Sequence, residues 1–399
     1  MNTRVMRSGV FCFALLPATL CAACALPVAD AQPPPGFVAE VVAHIDGARE
    51  LAALPSGDLL VGTRGSDVYV VPHPLESPGE PRVFASLDDG AAAGVAYSSQ
   101  ERAIYVGSEH GVWRIPYDGE RTARDVKEIG RVRTGPEAPG TDGDVHRTTS
   151  VAYAGGRLYV SVGSSCNAKM DGGAKPCAEV DRTRAAVSEM SPDGGALFGR
   201  ATRIRNAIAL AVNPQTDSLW IGGAGQDELP FGHPYEFLDN LSARSGDTDY
   251  GWPLCEENRH AYVAGADCSG VVIPLVVIPA YATVISAAFY PLHQAGAHAF
   301  PTKYRGGLFV ALHGSWHLDS HGCYVQPARV VFVPMNGDKP VKPVDWTNPD
   351  TQWSDFFTGF QTGCRERSGR PTGLAVGSDG SLFVADDASG SIYRIRPVR

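Results

Sequence analysis

Several polar residues in this chain are of types suited to proton transfer, anion binding or cation ligation, and they recur at equivalent places. His146 stands in Asp144-Val-His146-Arg-Thr-Thr, Arg205 and Asn206 close Arg203-Ile-Arg205-Asn206, and Arg370 sits in Gly369-Arg370-Pro371. Each lies immediately ahead of an apolar stretch. Gly225-Gln226-Asp227-Glu228 and His313-Gly-Ser-Trp316 instead follow one, and Asp247-Thr-Asp249-Tyr-Gly-Trp-Pro253 closes a long polar segment. An imidazole takes a proton near neutral pH. Guanidinium groups hold carboxylates, and carboxylate, amide and carbonyl oxygens suit a hard cation such as Ca²⁺. Such a set fits an anionic organic cofactor beside a cation. Singly, each residue has a plainer use: a structural histidine, an inter-element ion pair, a solvated acidic turn. The shared position raises them together.

A repeated phrase sets that position. Leu51-Ala-Ala-Leu-Pro-Ser-Gly-Asp-Leu-Leu-Val-Gly62 and Leu374-Ala-Val-Gly-Ser-Asp-Gly-Ser-Leu-Phe-Val-Ala385 are two copies, and similar ones begin at Val95, Val151 and Leu210. Each reads as apolar strand, polar turn, apolar strand. A hairpin repeated along one chain is how a β-propeller looks in sequence, and a propeller gathers its loops at the two ends of a central channel. Helical periodicity is nearly absent, with a short turn expected at 234–241, so the chain reads as all-β. Longer segments at 134–148, 164–183, 223–253 and 314–325 interrupt the spacing and hold most of the reactive side chains.

The N-terminus reads differently. Arg4 and Arg7 precede an apolar run from Val10 to about Cys24, and Ala29-Asp-Ala31 supplies a small-x-small cleavage pattern. Residues 1–31 are therefore expected to be a secretory signal peptide, followed by one domain over 32–399 in a periplasmic or secreted protein. A retained anchor, or a lipid on Cys21 or Cys24, is the alternative. The whole chain has a formal net charge of −9. Loss of Arg4, Arg7 and Asp30 takes the remainder to −10, which disfavours nucleic acid or an anionic membrane as partner. No other apolar stretch approaches membrane length. Six cysteines remain after residue 31, and their order suggests local disulfides: Cys166 with Cys177, Cys255 with Cys268, Cys323 with Cys364. The spacing lacks the paired CxxC form of a zinc site.

From Gly36 onward the chain resembles the L-sorbosone dehydrogenase-like branch of the soluble sugar dehydrogenases that use pyrroloquinoline quinone (PQQ). The stretches that carry this are HRTTSVAYAGGRLYVSVGSSCN (146–167), RIRNAIALAVNPQTDSLWIGGAGQDEL (203–229), DYGWP (249–253), YRGGLFVALHGSW (304–316) and GRPTGLAVGSDGSLFVADD (369–387). The resemblance implies a six-bladed β-propeller that holds PQQ on Ca²⁺ at one end of its channel. It implies His146 as general base and Arg205-Asn206 on the quinone oxygens. Gly225, Gln226 and Asp227 would serve the calcium, and Arg370 one carboxylate of the quinone. His313 falls where a cofactor-binding lysine can stand. Three positions depart from the family pattern: Val145 ahead of the base, Thr372 where a second arginine is expected, and a segment at 88–97 without the expected glutamine. The implied activity is oxidation of an aldose or sugar aldehyde, with electrons passing to an unidentified acceptor. A calcium-dependent lactonase or other hydrolase, and a non-catalytic binding propeller, are the competing readings.

Overall fold

The computed structural model describes residues 31–132, 134, 146–165, 179, 181–226 and 232–398. The signal-peptide segment, Asp144, Val145, Asp227, Glu228 and the Cys166–Cys177 pair lie outside the described residues, apart from Ala31 at the segment's end.

Six antiparallel sheets surround a channel. The first blade is Ala48–Ala53, Leu59–Thr63, Asp67–Val71 and Arg82–Ser86; the second is Gly94–Ser98, Ala103–Gly107, Gly111–Pro116 and Lys127–Arg131. The third runs Thr149–Ala154, Arg157–Val162, Ala186–Met190 and Phe198–Thr202, with Thr248–Asp249 added in parallel at its edge. The fourth is Asn206–Asn213, Ser218–Ala224, Glu236–Asn240 and Val276–Ile278; the fifth is Val284–Phe289, Leu308–Leu312, Arg329–Val333 and Ser354–Phe357. The sixth combines Pro371–Val376, Leu382–Asp386 and Ser391–Pro397 with the N-terminal strand Phe37–His44. Each inner strand touches the inner strand of the next blade, and the sixth touches the first, so the ring closes. This is the six-bladed β-propeller that the repeat and the resemblance led us to expect.

Each copy of the repeated phrase proves to be the inner strand and second strand of one blade. The second strands Leu59–Thr63, Ala103–Gly107, Ser218–Ala224, Leu308–Leu312 and Leu382–Asp386 are buried at every residue. A sheet covered on both faces has no solvent side, which is why these runs are apolar throughout instead of alternating. Six clusters fill the six blade interfaces: Leu60 and Phe84 with Ile104, Tyr105 with Val160, Ile221 with Tyr159, Trp220 with Val310, Phe309 with Val384, and Phe383 with Leu59. The glycine ending several copies has a steric cause. A Cβ on Gly62 would overlap the Ala93 carbonyl of the second blade, and one on Gly107 the Thr149 carbonyl of the third. Neighbouring blades meet backbone to backbone there, and only glycine leaves room.

Two expectations change in detail. The segment 234–241 is not a turn. Glu236–Asn240 is the third strand of the fourth blade, paired with Trp220–Gly223 on one side and Val276–Ile278 on the other, and one 3₁₀ turn follows at Leu241–Ala243. Two ready-made ladder partners decide the conformation over local propensity. Cys255–Cys268 and Cys323–Cys364 are bonded, the latter with its Cα atoms 4.5 Å apart. The first staples a loop after the third blade's added strand; the second ties the loop leaving the fifth blade's second strand to the one entering the sixth blade.

The N-terminal strand is anchored by Phe37, which stands edge-on to Phe300, Phe356 and Tyr304 with centroids at 4.7, 5.5 and 5.6 Å. Phe37→Ala should therefore lower stability by roughly 3 kcal/mol in urea titrations. A loss below about 0.5 kcal/mol, the range of surface substitutions, would mean that Phe37 does not anchor this strand.

Candidate functional site

Every inner strand starts at the same end of the channel, so residues before it share that end with residues that follow each second strand. The opposite end opens into a cavity of about 540 Å³ lined by all six inner strands, from Leu51–Ala53 round to Ala375 and Val376. At the first end, the sequence-selected residues fall into two groups.

The first group spans the third and fourth blades. Gly163 follows the second strand of the third blade, and a Cβ there would meet Asn206 Oδ1 at 2.5 Å and His146 Cβ at 2.6 Å. His146 and Asn206 therefore close on the same glycine from two blades. The Ser164 amide donates to the Arg205 carbonyl at 2.7 Å, locking the two blades at this point. His146 is buried, and its Nδ1 lies 2.8 Å from the Ser164 carbonyl. A carbonyl only accepts, so Nδ1 carries the hydrogen and the lone pair of the neutral ring resides on Nε2. Arg184, which sequence reasoning missed, holds that carbonyl: its Nε donates to Gly163 O at 2.7 Å and its Nη2 to Ser164 O at 2.9 Å. Its signal was available, because Arg184 precedes an apolar strand much as Arg205 does.

Arg205 lies close enough to act electrostatically on both His146 and Glu236. The Glu236 carboxyl accepts the amides of Thr283 at 2.9 Å and Val284 at 2.6 Å, and also that of Gly225. It thus fixes the turn at Gly225 to the entry of the fifth blade. Burial raises its pKa to about 7, against those hydrogen bonds and Arg205. Gln226 is buried and accepts from the Trp252 indole at 2.8 Å. A cavity of about 20 Å³ is lined by Arg205, Gly225, Gln226, Trp252 and Glu257, among others. Glu257 is buried, with Oε2 making no hydrogen bond. That leaves a small enclosure with oxygen donors. Arg203, by contrast, is structural. It donates to the Trp252 carbonyl at 3.1 Å, Asp249 at 2.8 Å and the Gly251 carbonyl, and so holds the 249–253 segment.

The second group spans the fifth, sixth and first blades. Arg370 donates through Nε to His313 O and through Nη2 to Gly314 O, both at 2.9 Å, and its guanidinium lies 4.4 Å from the Trp316 ring centre. His313 turns its Nε2 to Asp387 at 2.8 Å, and its pKa falls to about 4, mainly through burial. Asp387 also pairs with Arg49 at 3.1 Å and Arg64 at 2.6 Å. Thr372 is buried and donates to Ala48 O at 3.0 Å, so it braces the sixth inner strand against the first. In the segment 88–97, Asp89 accepts from Ser108 and the His110 amide. Arg370 and His313 thus gather with blade-one arginines, not with His146 and Arg205. In a ring of six, the third blade stands opposite the sixth and the fourth opposite the first, so the groups face each other across the channel mouth.

A family model described as TrAA12-like matches residues 252–398. The chain is similar to the calcium structure of the AA12-family carbohydrate-active enzyme of Trichoderma reesei, at 18% identity over 94% of this chain and 99% of that one, TM-score 0.75. It is similar to the holo PQQ domain of pyranose dehydrogenase from Coprinopsis cinerea, at 18% identity over 93% and 98%, TM-score 0.70. The PQQ-bound aldose sugar dehydrogenase of Streptomyces coelicolor follows at 17% over 92% and 99%, TM-score 0.59. An uncharacterized protein of Borreliella burgdorferi is 20% identical over 383 residues, 91% of this chain and 89% of that protein. At these identities the likeness defines the class by fold, a six-bladed propeller shared with those sugar oxidoreductases. The chemistry must be argued from the residues.

The His146 environment makes a pH prediction. Burial first, then the charges of Arg205 and Arg184, hold its pKa down to about 3, whereas an unfolded histidine titrates near 6.5. Between those values the unfolded chain binds more protons, so stability present above pH 6.5 is lost as pH falls toward 3. His146→Gln should lose less thermal stability than wild type between pH 7 and pH 4.5. His313, shifted the same way, leaves part of the slope. Equal losses in thermal unfolding would contradict this account.

Proposed function

We propose that the protein is an exported PQQ- and Ca²⁺-dependent sugar oxidoreductase that oxidises an aldose or sugar aldehyde, with His146 as its general base. The observation that carries this reading is the His146 arrangement: Nδ1–H spent on a carbonyl held by Arg184, and the Nε2 lone pair left for substrate beside Asn206 and Arg205. The matched structures titled as PQQ-bound or calcium-bound sugar enzymes support the choice of cofactors, as do the guanidinium groups on both sides of the mouth. The narrower sorbosone-type assignment rests on the sequence stretches alone. The two disulfides accord with an oxidising compartment, and no helix among the described residues is long and apolar enough to cross a membrane.

The residues fit the cofactors' chemistry. Arg205, Asn206 and Arg370 suit a flat polycarboxylate with quinone oxygens. Gly225, Gln226 and Glu257 line one small enclosure, and Glu257 Oε2 makes no hydrogen bond; the described residues hold no cluster of three acidic, histidine or cysteine side chains placed to bind a metal ion, so a hard cation would need further oxygen donors, with Asp227 next in sequence. When bound beside the cation, the quinone supplies a two-electron acceptor for hydride. His146 Nε2 takes the hydroxyl proton of the sugar or aldehyde hydrate. Arg205 stabilises negative charge that develops opposite the base. Glu236 keeps the Gly225 turn in place through that turn's amide. Arg184 keeps the imidazole from rotating and so acts as a positioning residue.

Purified protein incubated with PQQ and Ca²⁺ should reduce an artificial dye in the presence of a responsive aldose. His146→Ala should lower the rate by about 10²–10⁴-fold while leaving PQQ binding in place. Lactone hydrolysis without PQQ would replace this reading with a hydrolase, and PQQ binding without turnover on any sugar would replace it with a binding propeller.

A further inference from the structure

Of the six inner strands, only the first carries charged side chains, Arg49 and Glu50. Arg49 is spent at the mouth, on Asp387. Glu50 turns into the channel: its Oε2 accepts from the Ser286 hydroxyl at 2.9 Å, on the inner strand of the fifth blade. The sixth blade stands between the first and the fifth, so this contact reaches across the channel past the sixth inner strand. Two features make it possible. The first blade's inner strand shifts register against its partner between Ala48 and Leu51, and the fifth does so between Val284 and Ser286. Such bulges re-aim side chains. On the sixth strand, a Cβ at Gly373 would meet Arg49 O at 2.1 Å and the Glu50 carbonyl carbon at 2.9 Å, so glycine there leaves the bulge its room.

The cavity at the far end begins one residue beyond each partner, at Leu51 and Ala287. Glu50 and Ser286 therefore stand between the mouth and that cavity. Glu50 is only partly buried, and its Oε1 has no hydrogen bond among the described residues. One oxygen is anchored and the other is left for water. Arg49 is the one charged group that acts on this carboxyl, with Asp387 and His313 behind it at the mouth. The neighbours from other blades do not titrate: Ala93, whose carbonyl accepts the Glu50 amide at 3.2 Å, Ser286 and Gly373. Desolvation raises the Glu50 pKa to about 7, against the Ser286 bond and Arg49. A carboxyl that exchanges its proton near working pH, open at one oxygen and set between two spaces, is suited to proton transfer.

Oxidation of a CH–OH group to a carbonyl releases two electrons and two protons. On the proposed function, an electron acceptor such as ferricyanide takes only the electrons. Both protons must then leave the site, one of them from His146 Nε2, while ligand and acceptor cover the mouth. We propose that Glu50 carries protons from the channel mouth to the opposite cavity, taking them up on Oε1 and releasing them to water beyond Leu51 and Ala287. This rests on the proposed function for the source of the protons, whereas the carrier is defined by this chain's own geometry. Ser286 is a positioning residue that holds Oε2 and so keeps Oε1 in the channel. Electrons and protons would leave by opposite ends of the propeller.

The test compares wild type with Glu50→Gln, which keeps the shape and the Ser286 contact but carries no proton. With PQQ, Ca²⁺, an aldose and ferricyanide, Glu50→Gln should turn over about 10-fold more slowly or worse. It should lose the limb of the pH profile near pH 7, and added imidazole, a mobile proton carrier, should restore its rate. Glu50→Asp, which keeps a carboxyl, should retain part of the rate without imidazole. A second readout needs no cofactor. The folded pKa of about 7 exceeds the unfolded value of about 4.3, so the folded chain binds more protons between them and stability is lost as pH rises. Glu50→Gln should therefore gain thermal stability on wild type from pH 4.5 to pH 7.5. A constant difference across that range would overturn the carrier. So would a slow Glu50→Gln that imidazole does not rescue, which marks a structural role. Equal turnover of the two proteins would overturn the carrier and leave the proposed function standing. Wild type that reduces no ferricyanide on any aldose would overturn both.

Discussion

Everything at the channel mouth depends on one pairing, that of Phe37–His44 with Ser391–Pro397. A propeller blade buries both faces, so an open ring would leave Ala375 and Phe383 on one side and Leu59 and Val61 on the other facing water. Those residues form a single cluster because the chain's beginning completes its last blade. An ion-pair cluster is also built across that seam. Arg49 and Arg64 come from the first blade and Asp387 from the sixth, so their contact exists only in a closed ring. Closure gathers residues more than three hundred positions apart in sequence, and the propeller needs no second core to do it.

The two groups at the mouth differ in how their polar atoms are satisfied. Around His146 the network is directional: Arg184 to the Ser164 carbonyl, that carbonyl to Nδ1, Glu236 to three amides. Such a chain fixes tautomer and orientation, which a proton acceptor requires. Around Asp387 the network is one of charge, with more cations than anions. Charge binds without demanding a single geometry. One side is therefore suited to positioning and the other to attraction.

Much of the fold could be read from the sequence because the repeat is enforced by packing. Gly62 and Gly107 recur since backbone meets backbone there, and the apolar second strands recur since both faces are covered. The site was legible only where it shared the repeat's frame. His146, Arg205, Asn206 and Arg370 could be selected as residues preceding inner strands, and the structure does place them at one end. Their partition into two groups could not be read, because it depends on which blades face each other across the ring. Arg49, Arg64 and Asp387 were hidden for a related reason. Each taken alone is an ordinary charged residue at a strand end, and only closure brings them together. Glu236 was hidden by a local pattern, since the 234–241 segment looks like a turn until its ladder partners are known.

The surroundings of His146 set a condition on the proposed chemistry. With a carbonyl rather than a carboxylate on Nδ1, and with Arg205 and Arg184 nearby, His146 is held neutral but made a weak base, its pKa about 3. A general base works best when its pKa approaches the working pH. The missing negative charge would have to come with the ligand. A polycarboxylate lying against Arg205 would neutralise the charge that depresses the imidazole, and desolvated pairing of that arginine would let the ring's proton affinity rise. An anionic ligand at the mouth is thus of the sign that would strengthen the proposed base. On the proposed function, binding and basicity would be coupled through Arg205.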